Sequence, residues 1–149
     1  MRALTRAAVL GVAMIAGGSA WAEDTGSAAE ARTLLDKAIV EVKADLPAAL
    51  AKFNDPKGSF RDRDLYVFCA NASDGILTAH PKLVGTDLNT IVDKNGKALG
   101  KEMLQNAKEG EITEVTYIWP RPNATDPEDK VSFVTKVNGQ VCGVGYYKK

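Results

Sequence analysis

The clearest pattern of hydrophobic and polar positions lies near the carboxyl end of the chain, in residues 115–147. Three segments rich in β-branched and aromatic residues follow one another there. A loop of prolines and acidic residues separates the first two, and the pair Asn138-Gly139 separates the last two. Such compositions favour strands and turns respectively. The pattern therefore predicts an antiparallel meander of three strands.

Alternation along these strands predicts which side chains share a face. Tyr117 and Trp119 lie on one face of the first strand, and Gly143, Gly145 and Tyr147 lie on one face of the last. Glycines inside a strand cost stability, and they mark places where another group approaches the backbone closely. That group is either a packed helix or a ligand, and the sequence leaves both alternatives open.

The amino-terminal half begins with a helical pattern. From Ala28 onward, apolar residues recur at spacings of three and four, which predicts an amphipathic helix. Pro47 interrupts the pattern, so it kinks or ends this helix, and a second short helix is expected across residues 48–53. The predicted apolar stripe comprises Leu34, Leu35, Ala38, Ile39, Val42 and Leu46.

The middle of the chain predicts a hairpin followed by an irregular insert. Residues 65–70 and 76–79 have strand composition, with a turn at residues 71–75. A hairpin this short needs a larger sheet, which the meander supplies. The insert, residues 80–110, contains one clear helix at residues 101–108. A long helix, two strands, an insert and three strands predict a PAS-like α/β (α+β) sensor domain.

The first 22 residues have the features of a signal peptide. Arg2 and Arg6 precede a short apolar run, and Ala20 and Ala22 satisfy the rule for cleavage after Ala22. The apolar run is shorter than the roughly 20 residues that cross a bilayer, which argues against the alternative of an uncleaved anchor. We expect a periplasmic or secreted protein in which residues 23–149 form one domain, with no membrane span after cleavage.

The charge balance argues against one class of partner. The chain has 19 basic and 19 acidic residues, and loss of Arg2 and Arg6 leaves 17 against 19. A slightly acidic protein is a poor match for nucleic acid, so we expect no nucleic-acid partner.

Taken together, these segments resemble the single Cache domains of bacterial extracytoplasmic sensing, in particular the small exported proteins that consist of that domain alone. The resemblance spans nearly the whole predicted mature chain in the right order. It rests on Phe53-Asn54-Asp55-Pro56-Lys57-Gly58 before Asp64-Leu65-Tyr66-Val67-Phe68, Ala79-His80-Pro81 with Leu83-Val84-Gly85, the turn at residues 93–96, Tyr117-Ile118-Trp119-Pro120, Lys130-Val131-Ser132-Phe133-Val134 and Gly143-Val144-Gly145-Tyr146-Tyr147.

The resemblance implies a long amino-terminal helix packed on a five-stranded antiparallel sheet, with a small-molecule pocket between the sheet and the insert. Family members fused to chemoreceptors and kinases bind small organic acids such as acetate, propionate or pyruvate. The resemblance therefore implies a binding module in signal transduction or chemotaxis, acting through a separate membrane sensor or transporter. One departure is Phe133, which stands where a tyrosine that contacts the ligand is common. The alternative is a structural or interaction protein of the cell envelope that binds no ligand.

Six residues are the candidate ligand contacts. Tyr117 and Trp119 suit an apolar wall with a polar tip, although both also suit a core. Lys130 and Arg121 compete as the cation for a carboxylate, and Arg121 has the better bidentate geometry. The alternative for Lys130 is a solvated charge paired with the acidic loop. Two supporting contacts complete the set, His80 and Tyr147.

His80 is the only histidine, which removes most acid-base and metal chemistry. It either hydrogen-bonds a ligand or caps the loop that follows it. No serine lies in a nucleophile elbow, so we expect no catalytic residue and no enzyme. The stretch that begins at Asp93 resembles the start of a calcium loop, but its twelfth position is Leu104, so it predicts a turn. We expect no metal and no cofactor.

The two cysteines are predicted to form a disulfide. Cys69 lies in the first predicted strand and Cys142 in the last, and these strands are neighbours in a PAS-like sheet. An exported chain with an even number of cysteines is the context in which disulfides form and persist. The alternative is two buried free thiols.

Overall fold

A computed structural model of the protein describes residues 25–149. The predicted signal peptide, residues 1–22, lies outside the described residues. In the described part, two helices precede the sheet and a third helix lies within the insert, which also holds a short 3-10 helix, Leu88–Thr90. The elements are α1 (Ala28–Ala44), α2 (Leu46–Asn54), β1 (Arg61–Asp62), β2 (Leu65–Asn71), β3 (Leu77–Ala79), α3 (Leu99–Asn106), β4 (Thr113–Pro120), β5 (Pro127–Val137) and β6 (Gln140–Tyr147).

The sheet is antiparallel, with the strand order β1-β2-β6-β5-β4, and β3 also pairs with β2. The two short strands β1 and β3 share one edge of β2, because β1 pairs with its first two residues and β3 with Cys69 and Ala70. The predicted fold class is confirmed. The sheet contains one strand more than the five expected. This additional strand, β1, has only two residues and is too short to leave a pattern in the sequence.

The break between the first two helices falls at Asp45, two residues before the predicted break at Pro47. Asp45 has an extended backbone, and its carboxylate accepts a hydrogen bond from the Ala48 amide at 3.0 Å. Asp45 therefore caps the amino end of α2, while Pro47 occupies the first turn, where a missing N–H costs nothing. Leu46 consequently belongs to α2 rather than to the stripe of α1.

The helices and the insert cover opposite faces of the sheet. α1 and α2 pack on the face that carries Val67, Cys69, Phe133, Cys142 and Val144. The insert packs on the other face. That second core contains Tyr66, Phe68, Ala70, Val115, Tyr117 and Val134 from the sheet, with Leu77, Leu88, Leu99 and Met103.

Polar contacts fasten the insert to the edge strand β4. The Asp93 carboxylate accepts backbone hydrogen bonds from Asn95 at 2.9 Å, Lys97 at 3.0 Å and Ile118 at 3.2 Å. The Lys97 ammonium donates to the carbonyl oxygen of Thr116. The predicted turn at Asp93 is therefore confirmed, and it holds the insert over the sheet.

Cys69 and Cys142 are directly paired across β2 and β6, with a Cα–Cα separation of 4.1 Å, and they form a disulfide. The predicted pairing is confirmed. The bond lies in the core beneath the helices, so it ties the hairpin strand β2 to the last strand on the face opposite the insert.

Candidate functional site

The site is a cavity between the insert and the sheet. Its inner part has a volume of about 30 Å³, counted as the space open to the centre of a water-sized sphere. An outer pocket of about 110 Å³ by the same measure adjoins it. Four residues line both parts: Tyr66, His80, Leu83 and Trp119. The rest of the inner wall is largely apolar and comprises Phe68, Leu77, Leu88, Ile91, Leu99, Met103 and Tyr117.

His80 lies at the junction of the two parts, directly after β3. Its Nδ1 atom accepts backbone hydrogen bonds from Lys82 at 3.0 Å and Leu83 at 3.1 Å. Burial, and then the positive charges of Lys130 and Arg61, lower the pKa of His80 to about 3. The ring is therefore neutral at physiological pH, and its proton resides on Nε2. His80 therefore caps the loop through Nδ1, which is one of the two roles that the sequence left open, and its remaining N–H is on Nε2.

Tyr66 forms the wall next to His80, and its ring meets the His80 ring edge-on with 5.2 Å between centroids. The Tyr66 hydroxyl accepts a hydrogen bond from Lys130 Nζ at 2.9 Å. Since that bond uses an oxygen lone pair, the hydroxyl proton remains for another acceptor. Burial raises the pKa of Tyr66 well above its ordinary value, so the side chain stays protonated.

Lys130 lies behind this wall and is fully enclosed, with 0% of its surface exposed. Its Nζ is 4.3 Å from the ring centre of Tyr66 and 4.7 Å from that of Tyr147, whose hydroxyl accepts a longer hydrogen bond at 3.4 Å. Burial lowers the pKa of Lys130 to about 7. The alternative of a solvated charge paired with the acidic loop is wrong, because Lys130 lies on the face of β5 that the insert covers, opposite Tyr147.

Gly145 makes room for Lys130. A Cβ atom at Gly145 would lie 2.4 Å from Lys130 Cε and 2.4 Å from Ser132 Oγ. At Gly143 it would lie 2.5 Å from the Phe68 ring. The two glycines in β6 therefore serve packing rather than a direct ligand contact, but the groups that approach them come from the neighbouring strands β2 and β5 and not from the expected helix.

Arg121 lies at the outer pocket and is already paired with acidic residues. Its guanidinium donates to the Glu128 carboxylate at 2.5 and 3.2 Å and forms an ion pair with Asp64. It also lies 4.4 Å from the ring centre of Tyr147. The Glu128 hydrogen bond raises the pKa of Arg121 further. A ligand carboxylate would have to compete with two carboxylates of the protein for this cation.

Tyr117 and Trp119 lie on the cavity face, as the alternation in β4 predicts, with 6.3 Å between ring centres. Tyr117 is buried, and its hydroxyl shares a hydrogen bond with Ser132 at 2.8 Å. Trp119 is half-exposed and lines both parts of the cavity. Both are wall residues, and Tyr117 also belongs to the core beside the insert.

The structure therefore brings the six candidate residues to one region in three different positions. Tyr117, Trp119 and His80 line the inner cavity, and Arg121 lines the outer pocket. The remaining two, Lys130 and Tyr147, lie behind Tyr66. The Tyr147 hydroxyl donates to the carbonyl oxygen of Pro120 at 2.7 Å.

Tyr66 is the main residue that the sequence reasoning missed. β2 is buried on both faces, so its composition gives no alternation from which an inward face can be chosen. The register supplies that information: Phe68 pairs with Gly143, which places Tyr66 on the same face as Gly145. Phe133 lies on the opposite face, against Tyr146, so its departure from the family pattern has no bearing on this cavity.

The described residues contain no group of three or more potential metal ligands. No helix in the same part of the chain is both long and apolar enough to cross a bilayer.

Comparison with known proteins identifies the family. The family model described as "Cache domain" matches residues 35–149. The chain belongs to the Cache domain family. The curated methyl-accepting chemotaxis protein McpP of Pseudomonas putida is 38% identical over 71 residues, which is 46% of this chain and 13% of that protein. The aligned part is thus a small share of a much longer receptor.

Solved structures of chemotaxis sensor domains share the fold. A methyl-accepting chemotaxis protein from Vibrio parahaemolyticus superposes with a TM-score of 0.66 at 21% identity, covering 80% of this chain and 86% of that one. A periplasmic sensor domain of a chemotaxis protein gives 0.62 at 27% identity, covering 79% and 88%. A Cache chemosensory domain described for carboxylic acid recognition gives 0.58 at 24% identity, covering 78% and 85%.

These comparisons support a ligand-binding sensor module. The matched structures are described as a methyl-accepting chemotaxis protein, a periplasmic sensor domain of a chemotaxis protein and a Cache chemosensory domain. The predicted family and the predicted Cache fold with its helix and antiparallel sheet are confirmed.

Proposed function

We propose that residues 23–149 form a single exported Cache domain that binds a small organic acid and reports the bound state to a separate signalling or transport partner. The proposal places the protein in the periplasm or outside the cell. The observation that carries it is the polar end of the cavity, where Tyr66 and His80 offer two hydrogen-bond donors in front of the buried Lys130.

The donors at this end suit an anion. The Tyr66 hydroxyl and His80 Nε2 both have a proton to donate, and neither group carries a negative charge. Within the described chain, no acidic residue lines the inner cavity or the outer pocket. Donors near a buried cation in a site of low dielectric favour a carboxylate, since hydrogen bonds to charged groups are about twice as strong as neutral ones.

The remaining walls suit a short apolar tail. The insert side contributes Leu88, Leu99 and Met103, and the sheet contributes Phe68 and Tyr117. The inner volume of about 30 Å³ exceeds the roughly 10–15 Å³ by this measure that one water needs. The cavity therefore fits an acid of a few heavy atoms, and the solved Cache domain described for carboxylic acid recognition has the same fold.

The test is a thermal-shift screen of the purified mature protein against acetate, propionate and pyruvate, with acetamide and propionamide as neutral controls. An acid present at 100 times its dissociation constant adds about 2.7 kcal/mol of stability. We expect the acids to raise the melting temperature and the amides to have little effect. Absence of any shift with these three acids, and with a second set of amino acids and purines screened in the same way, would favour a structural or interaction protein instead.

Calorimetry on variants assigns the contacts. Trp119→Ala removes a wall of both cavity parts, and we expect roughly tenfold weaker binding of the acid found in the screen, which corresponds to about 1.4 kcal/mol. Lys130→Ala and Arg121→Ala are each expected to cost about 1.5 kcal/mol or more if the cation contributes a charge-assisted contact. Unchanged affinity in both cation variants would place the anion site elsewhere. Val84→Ala is a matched control, because Val84 is exposed on the insert and away from the cavity wall.

A further inference from the structure

We propose that binding of an anion in this cavity is coupled to uptake of one proton by Lys130, so that the protein holds a carboxylate more tightly as the pH falls through neutrality. This inference rests on the proposed function, and it adds regulation by pH to the same site. It makes Lys130 a positioning residue that acts through the Tyr66 hydroxyl.

The first observation is the route of contact between Lys130 and the cavity. Lys130 does not line either part of the cavity, but its Nζ donates to the Tyr66 hydroxyl at 2.9 Å, and Tyr66 lines both parts. A carboxylate that accepts the Tyr66 hydroxyl proton would complete a chain of two hydrogen bonds ending at the ammonium. Chains of this kind strengthen each member in a site of low dielectric.

The second observation is that Lys130 has no carboxylate in contact with it. No acidic side chain of residues 25–149 lies within ion-pair distance of its Nζ, which meets two tyrosine hydroxyls instead. The acidic residue that acts on it electrostatically is Asp64. That carboxylate is already bound by the Gly26 amide at 2.7 Å and by Arg121. A bound carboxylate would be the first negative charge linked to Lys130 by hydrogen bonds, through the hydroxyl of Tyr66.

The other titratable groups around Lys130 do not change their protonation state near neutral pH. From β2, β4 and β6 the tyrosines Tyr66, Tyr117 and Tyr147 face it, and burial raises the pKa of each, so all three stay neutral. His80, after β3, stays neutral because burial lowers its pKa to about 3. Arg121, after β4, stays positive. Lys130 is thus the group at this site that changes charge between pH 6 and 8.

The proton balance is simple. Burial first, and then the positive charge of Arg121, lower the pKa of Lys130 to about 7, against the opposing effect of Asp64. Above that pH the amine is neutral in the empty protein. When a carboxylate binds, the neutral amine takes one proton from solvent, and Tyr66 keeps its own proton and donates it to the carboxylate oxygen. No covalent bond forms or breaks.

The size of the effect follows from linkage. If the bound carboxylate raises the pKa of Lys130 by two units or more, the affinity falls about tenfold between pH 6 and pH 8. Binding at pH 7 takes up about half a proton, because the empty site is about half protonated there and the occupied site is almost fully protonated.

The experiment is calorimetry of the mature protein with acetate, propionate and pyruvate at pH 6, 7 and 8, each in two buffers of different ionisation enthalpy. The expected result for whichever acid binds is a tenfold loss of affinity from pH 6 to 8, with uptake of about half a proton at pH 7. Lys130→Met should abolish both the uptake and the pH dependence. The matched control Lys136→Met, on the same strand and away from the cavity, should preserve both.

Two outcomes distinguish failure of the proton coupling from failure of the proposed function. An acid that binds equally at pH 6 and 8, or without proton uptake, would leave the proposed function standing and overturn the coupling. Absence of binding by all three acids at every pH would overturn both. NMR titration of the Lys130 side chain in the wild-type protein, with and without the acid, is independent of whether the variants fold: an unchanged titration midpoint contradicts the coupling.

Discussion

Replacement of Lys130 by Met is the perturbation whose effect on stability follows most directly from the structure. The side chain is fully enclosed between the rings of Tyr66 and Tyr147, and its Nζ meets hydroxyls rather than a carboxylate. Methionine has a similar length and no charge, so Lys130→Met removes the buried ammonium while it fills most of the same volume.

The sign follows from the two pKa values. The pKa of Lys130 is about 7 in the folded protein and about 10.4 in the unfolded chain. Between these values the unfolded chain binds more protons, so the Lys130 contribution to the free energy of unfolding rises with pH. The cost of the buried charge is therefore greatest below pH 7, at about 5 kcal/mol, and disappears above about pH 10.4.

Lost hydrogen bonds offset part of that gain. Leaving the Tyr66 hydroxyl without its donor costs about 1–3 kcal/mol. We therefore expect Lys130→Met to be more stable than wild type by about 2–4 kcal/mol at pH 6. This advantage should shrink by about 2.5 kcal/mol between pH 6 and pH 9, because the wild-type lysine becomes neutral over that range.

The assay is urea unfolding followed by tryptophan fluorescence at pH 6, 7, 8 and 9. The quantity to compare is the difference between variant and wild type, since titrations elsewhere cancel in it. Lys136→Met is the control and should give a difference that does not change with pH. A Lys130→Met variant that is less stable than wild type at pH 6, or whose difference is constant with pH, would refute the account of Lys130 as an uncompensated buried charge.

Three further predictions concern the scaffold. The double variant Cys69→Ser, Cys142→Ser should lose about 4 kcal/mol in the chain-entropy model for a disulfide across a sequence separation of 73, and an unchanged melting temperature would show that the bond is not structural. Gly143→Ala should cost about 1–3 kcal/mol by overpacking against the Phe68 ring, measured by urea unfolding, whereas Gly58→Ala, whose nearest contacts are at 3.2 Å, should cost clearly less. Amino-terminal sequencing of the exported protein should find Glu23 as its first residue, and recovery of the intact chain from membranes would contradict cleavage.

Much of the fold could be predicted because its strands differ in how they are buried. β4 alternates between exposed and buried positions at its start, so the sequence placed Tyr117 and Trp119 on one face. The Asn138-Gly139 turn was predictable because both residues have positive φ, 47° and 73°, which the hairpin turn requires. The disulfide could be predicted because the first and last predicted strands are neighbours in a PAS-like sheet.

The centre of the site could not be predicted, because it depends on register. β5 is buried on both faces over most of its length, so nothing in its composition separates Lys130 from a surface lysine. Its position beside Tyr66 arises only when Lys130 pairs with Tyr147 and Phe68 pairs with Gly143. Strand pairing joins residues that are far apart in the sequence, so a local pattern does not reveal it. The acidic loop beside Lys130 is visible locally, and it suggested a solvated ion pair.

The most direct test of the central claim is a crystal structure of the native purified mature protein with the acid that binds in the thermal-shift screen. We expect electron density for the acid in the cavity, with a carboxylate oxygen within about 3 Å of both the Tyr66 hydroxyl and His80 Nε2 and the tail directed toward Met103. An acid bound elsewhere, or in the cavity with its carboxylate away from Tyr66 and His80, would contradict it.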